Sequence, residues 1–303
     1  LLNSDGDGSN LTGISSGATS LDGLSDAKVT ATNNIGLGSG AVDSITTGDH
    51  NVGLGVDSLT AVTSGGHNVG VGRNTLKATT TATYNTAVGD AALDVNTTGS
   101  DNVGVGADAL GQNTEGGSNV ALGAYALDAS TTGSENTAVG TSALSANTTA
   151  GNNTAVGRMA LRVNTTGASN TALGHQAMIS NTTAANNTAV GKDSLSANTT
   201  GASNTAVGKN AGAAITTGSN NTMVGIYAGE ATTLGISNTF IGRDAGYSNT
   251  VGSYNQIVGQ ASTPASASST YAMGLGYNIS CAANYTTFGI NSSDIRAAHG
   301  STS

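Results

Sequence analysis

The chain repeats itself every 17 residues, and few folds can satisfy that constraint. An Asn opens the unit at 34, 51, 68, 85, 102, 119, 136, 153, 170, 187, 204, 221, 238 and 255, with no insertion or deletion between them. A Gly follows four residues after each Asn, from Gly38 to Gly259, and Gly276 keeps the beat once more. A fixed short period calls for one supersecondary unit stacked on its own copies. Seventeen residues do not hold a helix pair with its turns, and Asn, Thr, Val and Gly are poor helix formers. The pattern predicts an all-β fold: a parallel β-solenoid of 17-residue coils, each strand pairing with its copy one coil away. Constant coil length follows, since one extra residue would turn every side chain to the opposite face.

With the Asn as position 1, the strand covers positions 2 to 4, whose side chains alternate between faces. Position 4 is always aliphatic: Leu37, Leu54, Val71, Val88, Val105, Leu122, Val139, Val156, Leu173, Val190, Val207, Val224, Ile241 and Val258. These residues are expected to form the coil core together with position 2, which is Ile or Val in early coils (Ile35, Val52, Val69) and Thr from Thr137 to Thr239. Position 9 supplies a second inward group, Leu59 to Leu195 with Met178 among them. Asn at positions 1 and 12 is expected to stack as amide ladders. Position 3 would then face outward, yet it stays small through Gly36, Gly53, Gly70, Ala87, Gly104, Ala121, Ala138, Ala155, Ala172, Ala189 and Ala206. Solvent would tolerate Lys or Glu there, whereas a neighbouring backbone would not. The expectation is packing of this column against another chain, with the larger Met223, Phe240 and Ile257 forming an apolar plug.

Along the chain, residues 1–30 read as an N-terminal junction, 31–259 as the regular repeat and 260–303 as an irregular C-terminal cap with one degenerate coil. Within the repeat, position 9 becomes Gly at Gly212, Gly229 and Gly246, where the large position-3 residues appear; a reorganised cross-section with more interchain packing is expected there. The Asn3-to-Asn10 stretch lacks the closing acidic residue of a calcium loop. In the cap, Tyr271–Gly276 reads as one more coil and Tyr285–Ile290 as a final strand. Tyrosines gather toward this end, and Tyr247, Tyr254, Tyr271, Tyr277 and Tyr285 are candidate receptor contacts, because clustered aromatics can stack on sugars.

Composition narrows function further. Net charge is −9, with only 9 Lys and Arg, so no basic stripe for nucleic acid is present. No apolar run is long enough to span a membrane as a helix. The single Cys281 cannot form an intrachain disulfide and reads as a small buried side chain. His50, His67, His175 and His299 lack metal-ligand spacing, although His50 and His67 fall on adjacent coils. Gly-x-Gly runs such as Gly70–Gly72 come from the repeat, since no helix follows them. No catalytic residue, metal or cofactor is assigned, and the expectation is a protein that is not an enzyme.

The Asn-Thr-Ala-Val-Gly strand with its Gly turns resembles the left-handed β-roll repeats in the heads of trimeric autotransporter adhesins. The layout of the whole chain is similar to a bacteriophage tail fibre, on three stretches: Gly8–Ile14, the Thr-Thr-Gly-x-x-Asn-Thr-Ala-Val-Gly coils and Ser293–Ser301. The resemblance implies left-handed coils, a homotrimeric fibre and maturation by loss of an endosialidase-type intramolecular chaperone. It implies a virion tail location and attachment to a host glycan or protein, with a bacterial surface adhesin as the alternative. An ice-binding solenoid is a minor alternative, because adjacent Thr-Thr side chains alternate faces and cannot make a flat outward array.

Overall fold

A computed structural model describes residues 27–29, 33–291 and 293–299; the N-terminal junction and the Asn3–Asn10 stretch lie outside these, apart from one strand. Every regular element among the described residues is a β-strand. The chain divides into two compact units, 1–134 and 135–303, each a parallel β-solenoid with 17-residue coils.

In the first unit, β1 (Ala27–Val29) pairs antiparallel with β2 (Ile35–Leu37). Then β3 (Val52–Leu54), β4 (Val69–Val71), β5 (Thr86–Val88), β6 (Val103–Val105) and β7 (Val120–Leu122) add in parallel, each residue opposite its copy 17 positions on. In the second unit the same register joins β8 (Thr137–Val139), β9 (Thr154–Val156), β10 (Thr171–Leu173), β11 (Thr188–Val190), β12 (Thr205–Val207), β13 (Thr222–Val224), β14 (Thr239–Ile241) and β15 (Gln256–Val258). The cap departs from the beat. A short β16 (Thr263–Pro264) pairs with β18 (Ser280–Cys281) beside the main sheet. β17 (Met273–Tyr277) continues that sheet, β19 (Tyr285–Ile290) follows in parallel, and β20 (Ser293–Ala298) closes it antiparallel. Antiparallel strands next to β2 and β19 cover edges that would otherwise template further pairing.

Each regular coil has one three-residue strand, at positions 2 to 4. Inter-coil hydrogen bonds hold the rest: Leu93 N donates to Ala109 O at 3.0 Å and Thr97 N to Thr114 O at 3.0 Å. The sharp turns rest on left-handed backbone. Gly157 has φ +136°, and a Cβ there would lie 2.4 Å from Gly174 O in the next coil, so position 5 admits only Gly. Positions 7, 9 and 17 are left-handed with ordinary side chains, as at Asp193 (56°), Leu195 (48°) and Ser203 (57°). That conformation costs roughly 1–2 kcal/mol per residue. Full burial of the Leu at position 9 returns about 1.5–3 kcal/mol, which offsets the cost at that one position.

The interior differs from the sequence expectation. Position 3 faces into its own coil: Ala87, Ala121, Ala138, Ala155, Ala172, Ala189, Ala206, Met223, Phe240 and Ile257 are fully buried without any second chain, and Gly36, Gly53, Gly70 and Gly104 are buried with them. This column therefore cannot be the interchain packing surface. Its residues are small because the position-9 side chain fills the space opposite; a Cβ on Gly36 would meet Val42 Cγ2 at 2.4 Å. The position-4 residues assigned to the core, from Leu37 through Leu54, Val71, Val88, Val105, Leu122, Val139, Val156, Leu173, Val190, Val207, Val224 and Ile241 to Val258, are exposed or half-exposed on the outer face.

Polar groups complete the core. Asn204 Nδ2 donates to Gly218 O at 2.8 Å, while Asn204 Oδ1 accepts from both Asn221 N and Asn221 Nδ2 at 3.0 Å. A second buried column runs at position 12, where Asn181 Nδ2 donates to Asn164 Oδ1 and Asn198 Nδ2 to Asn181 Oδ1. Asn204 thus ties its own coil across and the next coil above, which a buried amide must do to offset its desolvation; Asn153 and Asn187 instead donate Nδ2 to Gly151 O and Ala185 O.

Candidate functional site

The strand alternation puts positions 2 and 4 on the outside, and this face is the main candidate surface. In the first unit the position-4 row runs in register from Leu37 to Leu122. In the second it runs from Val139 to Val258 and on through Leu275, Phe288 and Ile295, which stand opposite one another on β17, β19 and β20. Exposure along the second row is 46% at Leu173, 37% at Val207 and 53% at Leu275, and is largest, 76%, at Ile295. Scattered exposed aliphatic residues are ordinary, whereas an unbroken row makes a candidate interaction surface. Beside it, position 2 is Val in the first unit from Val52 to Val69, and Thr from Thr137 to Thr239 in the second. Thr154 and Thr171 are exposed, so a Thr-x-aliphatic array faces outward there. The Thr at position 13 behaves differently: Thr182 Oγ1 donates to Thr199 O at 3.1 Å, which occupies its hydroxyl within the stack.

All five candidate tyrosines are exposed. Two of them meet: the rings of Tyr254 and Tyr271 stack with centroids 5.1 Å apart and planes 7° from parallel. They line an open cleft of about 160 Å³ with Gln256, Ala272, Met273 and His299. The cleft lies where the Asn ladder stops, since Ala272 replaces the repeat's Asn and contributes only its backbone N–H to Asn255 Oδ1. His299 Nε2 lies 2.9 Å from Thr286 Oγ1. Tyr247 sits on a turn, and Tyr277 and Tyr285 lie on β17 and β19, so they do not join this cleft.

The remaining titratable groups read mostly as inter-coil decoration. Arg73 Nη2 and Asp90 Oδ2 pair at 2.7 Å across one period; this holds the Asp90 carboxyl below its ordinary range and raises the guanidinium. Partial burial pushes the Asp94 and Asp128 carboxyls up. Cys281 is buried as expected, and burial raises its thiol to about 11. Its Sγ packs against Gly274, where a Cβ would lie only 2.2 Å away. His50 and His67 stack at 4.9 Å, and Tyr84 extends the column at 4.8 Å. The sequence placed the two His on adjacent coils but not the tyrosine above them; reading position 17 down the repeat finds all three.

No helix among the described residues is long and apolar enough to cross a membrane. No family model matches the chain, and comparison with curated proteins and with solved structures finds no match either.

Proposed function

We propose that the chain is a structural segment of a homotrimeric fibre of the phage tail-fibre kind, with left-handed coils, that carries attachment to a host surface. The supporting observation is the unbroken aliphatic row on the outer strand face, from Val139 to Val258 and on to Leu275 in the second unit and from Leu37 to Leu122 in the first. Three copies turning this face toward a common axis would remove from water what a single chain leaves exposed, at about 25 cal/mol per Å² of apolar area. A regular stack of coils suits a mechanical role, since each coil relies on its neighbours and lengthening needs only more copies. Host contact is assigned to the tyrosine-lined cleft at Tyr254 and Tyr271, whose aromatic and amide groups suit an uncharged glycan. A bacterial surface adhesin built on the same trimer is the companion form of this reading.

Sedimentation equilibrium at micromolar concentration tests it. The chain is expected to run as three copies. The triple variant Val156→Asp, Val190→Asp, Val224→Asp is expected to run as one copy with an unchanged circular dichroism spectrum. A monomeric parent contradicts the proposal.

The ice-binding reading gains one specific observation: the seven Thr residues at position 2 from Thr137 to Thr239 lie outward beside the aliphatic row. This array uses a different Thr column from the Thr-Thr pairs. It needs the same face that a trimer would cover, so a monomer showing thermal hysteresis supports this reading and a trimer without it supports the fibre.

A further inference from the structure

We propose a binding site for one late first-row divalent cation, of the zinc or nickel class, formed by Asp49, His50 and His67. The three belong to the turn at positions 16 and 17 of two adjacent coils, and one ligand atom from each lies within 4.8 Å of the others. No local motif shows this set, because the third ligand arrives through the coil period.

The backbone fixes the arrangement. His50 and His67 are both left-handed, with φ of 56° and 60°, so their rings project from equivalent points one coil apart. His67 N donates to Asp49 O at 2.9 Å and holds the two turns together. The rings are 2° from parallel. Asp49 Oδ2 lies 3.2 Å from His50 Nδ1, and Asn33 Nδ2 lies 3.5 Å from His50 Nε2. For the carboxylate and His50 to share one ion, His50 offers the lone pair of Nδ1, the nitrogen beside Asp49, and carries its proton on Nε2. The carboxylate has its place because position 16 of the next coil is Gly66; a Cβ there would lie 2.8 Å from Asp49 Oδ1.

Ligand type selects the ion. Two imidazoles and one carboxylate suit zinc, nickel or copper(II), whereas calcium and magnesium need a larger set of oxygens. Bonds near 2.0–2.2 Å bring ligand atoms to roughly 3–3.5 Å from one another, so the set must close by about 1–2 Å on binding. The side chains of His50 and Asp49 are about half exposed (52% and 49%), which leaves rotation about Cβ–Cγ open to them. Water completes the coordination. The site is independent of the fibre reading.

Isothermal titration of the full chain with zinc chloride, and separately with nickel chloride, tests this. The parent is expected to take up one ion per chain with saturation below 1 mM, an affinity worth about 4 kcal/mol or more. His50→Ala and His67→Ala are each expected to weaken binding about tenfold or more, and the double variant to lose saturable binding. Asp49→Ala removes the third ligand and is expected to cost about tenfold. His175→Ala, in the other unit, is the control and leaves binding unchanged. Circular dichroism of each variant confirms the fold. No saturation by the parent, a double variant that binds as tightly as the parent, or an equal loss in His175→Ala overturns the proposal.

Discussion

Two stretches of the second unit fill the same interior in opposite ways. In the coils from Ala138 to Leu195, position 3 is Ala and position 9 is Leu or Met, and both are buried. In the coils from Met223 to Ile257, position 3 is large, while Gly229 and Gly246 stand at position 9. A Cβ on Gly246 would lie 2.4 Å from Phe240 Cδ2, and one on Gly229 would lie 2.5 Å from Met223 Sδ. Position 3 and position 9 therefore face each other across a shared interior, and either column can supply the bulk; in the coil between, Ala206 and Gly212 are both small and buried Ile215, with Met223 and Leu195 of the neighbouring coils, fills the space at Gly212. The two solutions differ in backbone cost. Leu195 holds its side chain on left-handed backbone at φ 48°, whereas Phe240 carries its own on a strand, opposite a Gly that adopts φ 66° freely.

This comparison can be broken most severely at Phe240. Phe240→Ala leaves both facing columns small and opens a cavity, with an expected loss of about 3–5 kcal/mol in denaturant unfolding. Gly157→Ala strikes what both stretches share, the position-5 turn. Its φ of +136° and the 2.4 Å approach to Gly174 O predict a loss of about 2–4 kcal/mol by the same measurement. Asn204→Ala cuts the amide ladder where one stretch passes into the other. It leaves Gly218 O and Asn221 N without their partner, an expected loss of about 2–3 kcal/mol. Cys281 sharpens the contrast with the cap: a buried thiol raised to about 11 is expected to resist a disulfide reagent at pH 8 until the chain is unfolded, and rapid labelling of native protein would show that the cap is open.

The smallest effect concerns pH in the first unit. Burial, followed by repulsion from Asp108, raises the Asp128 carboxyl, so its charged form is disfavoured in the folded chain. The folded state then binds the proton more readily than the unfolded state, and this group adds stability as pH falls through the carboxylate range. Asp90 has the opposite sign, since Arg73 holds it low and its contribution is lost on acidification. Asp128→Asn is expected to raise the melting temperature slightly at pH 7, with the gap closing in acid. A gap that widens in acid reverses the assignment.

Much of the architecture can be read directly from the residues. The 17-residue period yields the parallel register, the strand at positions 2 to 4 follows the repeated Asn, and the amide ladders follow from stacking identical positions. The phase of the strand is ambiguous in the sequence for a physical reason. Alternation has two phases, and aliphatic residues at position 4 look like core when the fold leaves them on an outer face. The deciding signal was present in the compensating pairs, Ala189 with Leu195 against Phe240 with Gly246, which only make sense across a shared interior. Left-handed backbone at Leu195 or Tyr254 leaves no mark in the sequence, because neither residue type favours it. The candidate surfaces follow the same division. The tyrosines were identifiable one by one, whereas the Tyr254–Tyr271 stack and the meeting of Asp49, His50 and His67 arise from folding the period into coils.

A double-mutant cycle on Phe240 and Gly246 tests the shared interior most directly. Phe240→Ala opens the cavity, Gly246→Leu alone overfills it, and the two together restore the Ala–Leu pairing of Ala189 and Leu195. Equilibrium unfolding is expected to give a favourable coupling of about 1.5–3 kcal/mol, with the double variant more stable than either single one. Additive losses would mean that the two side chains do not face each other, and would contradict the placement of position 3 inside the coil.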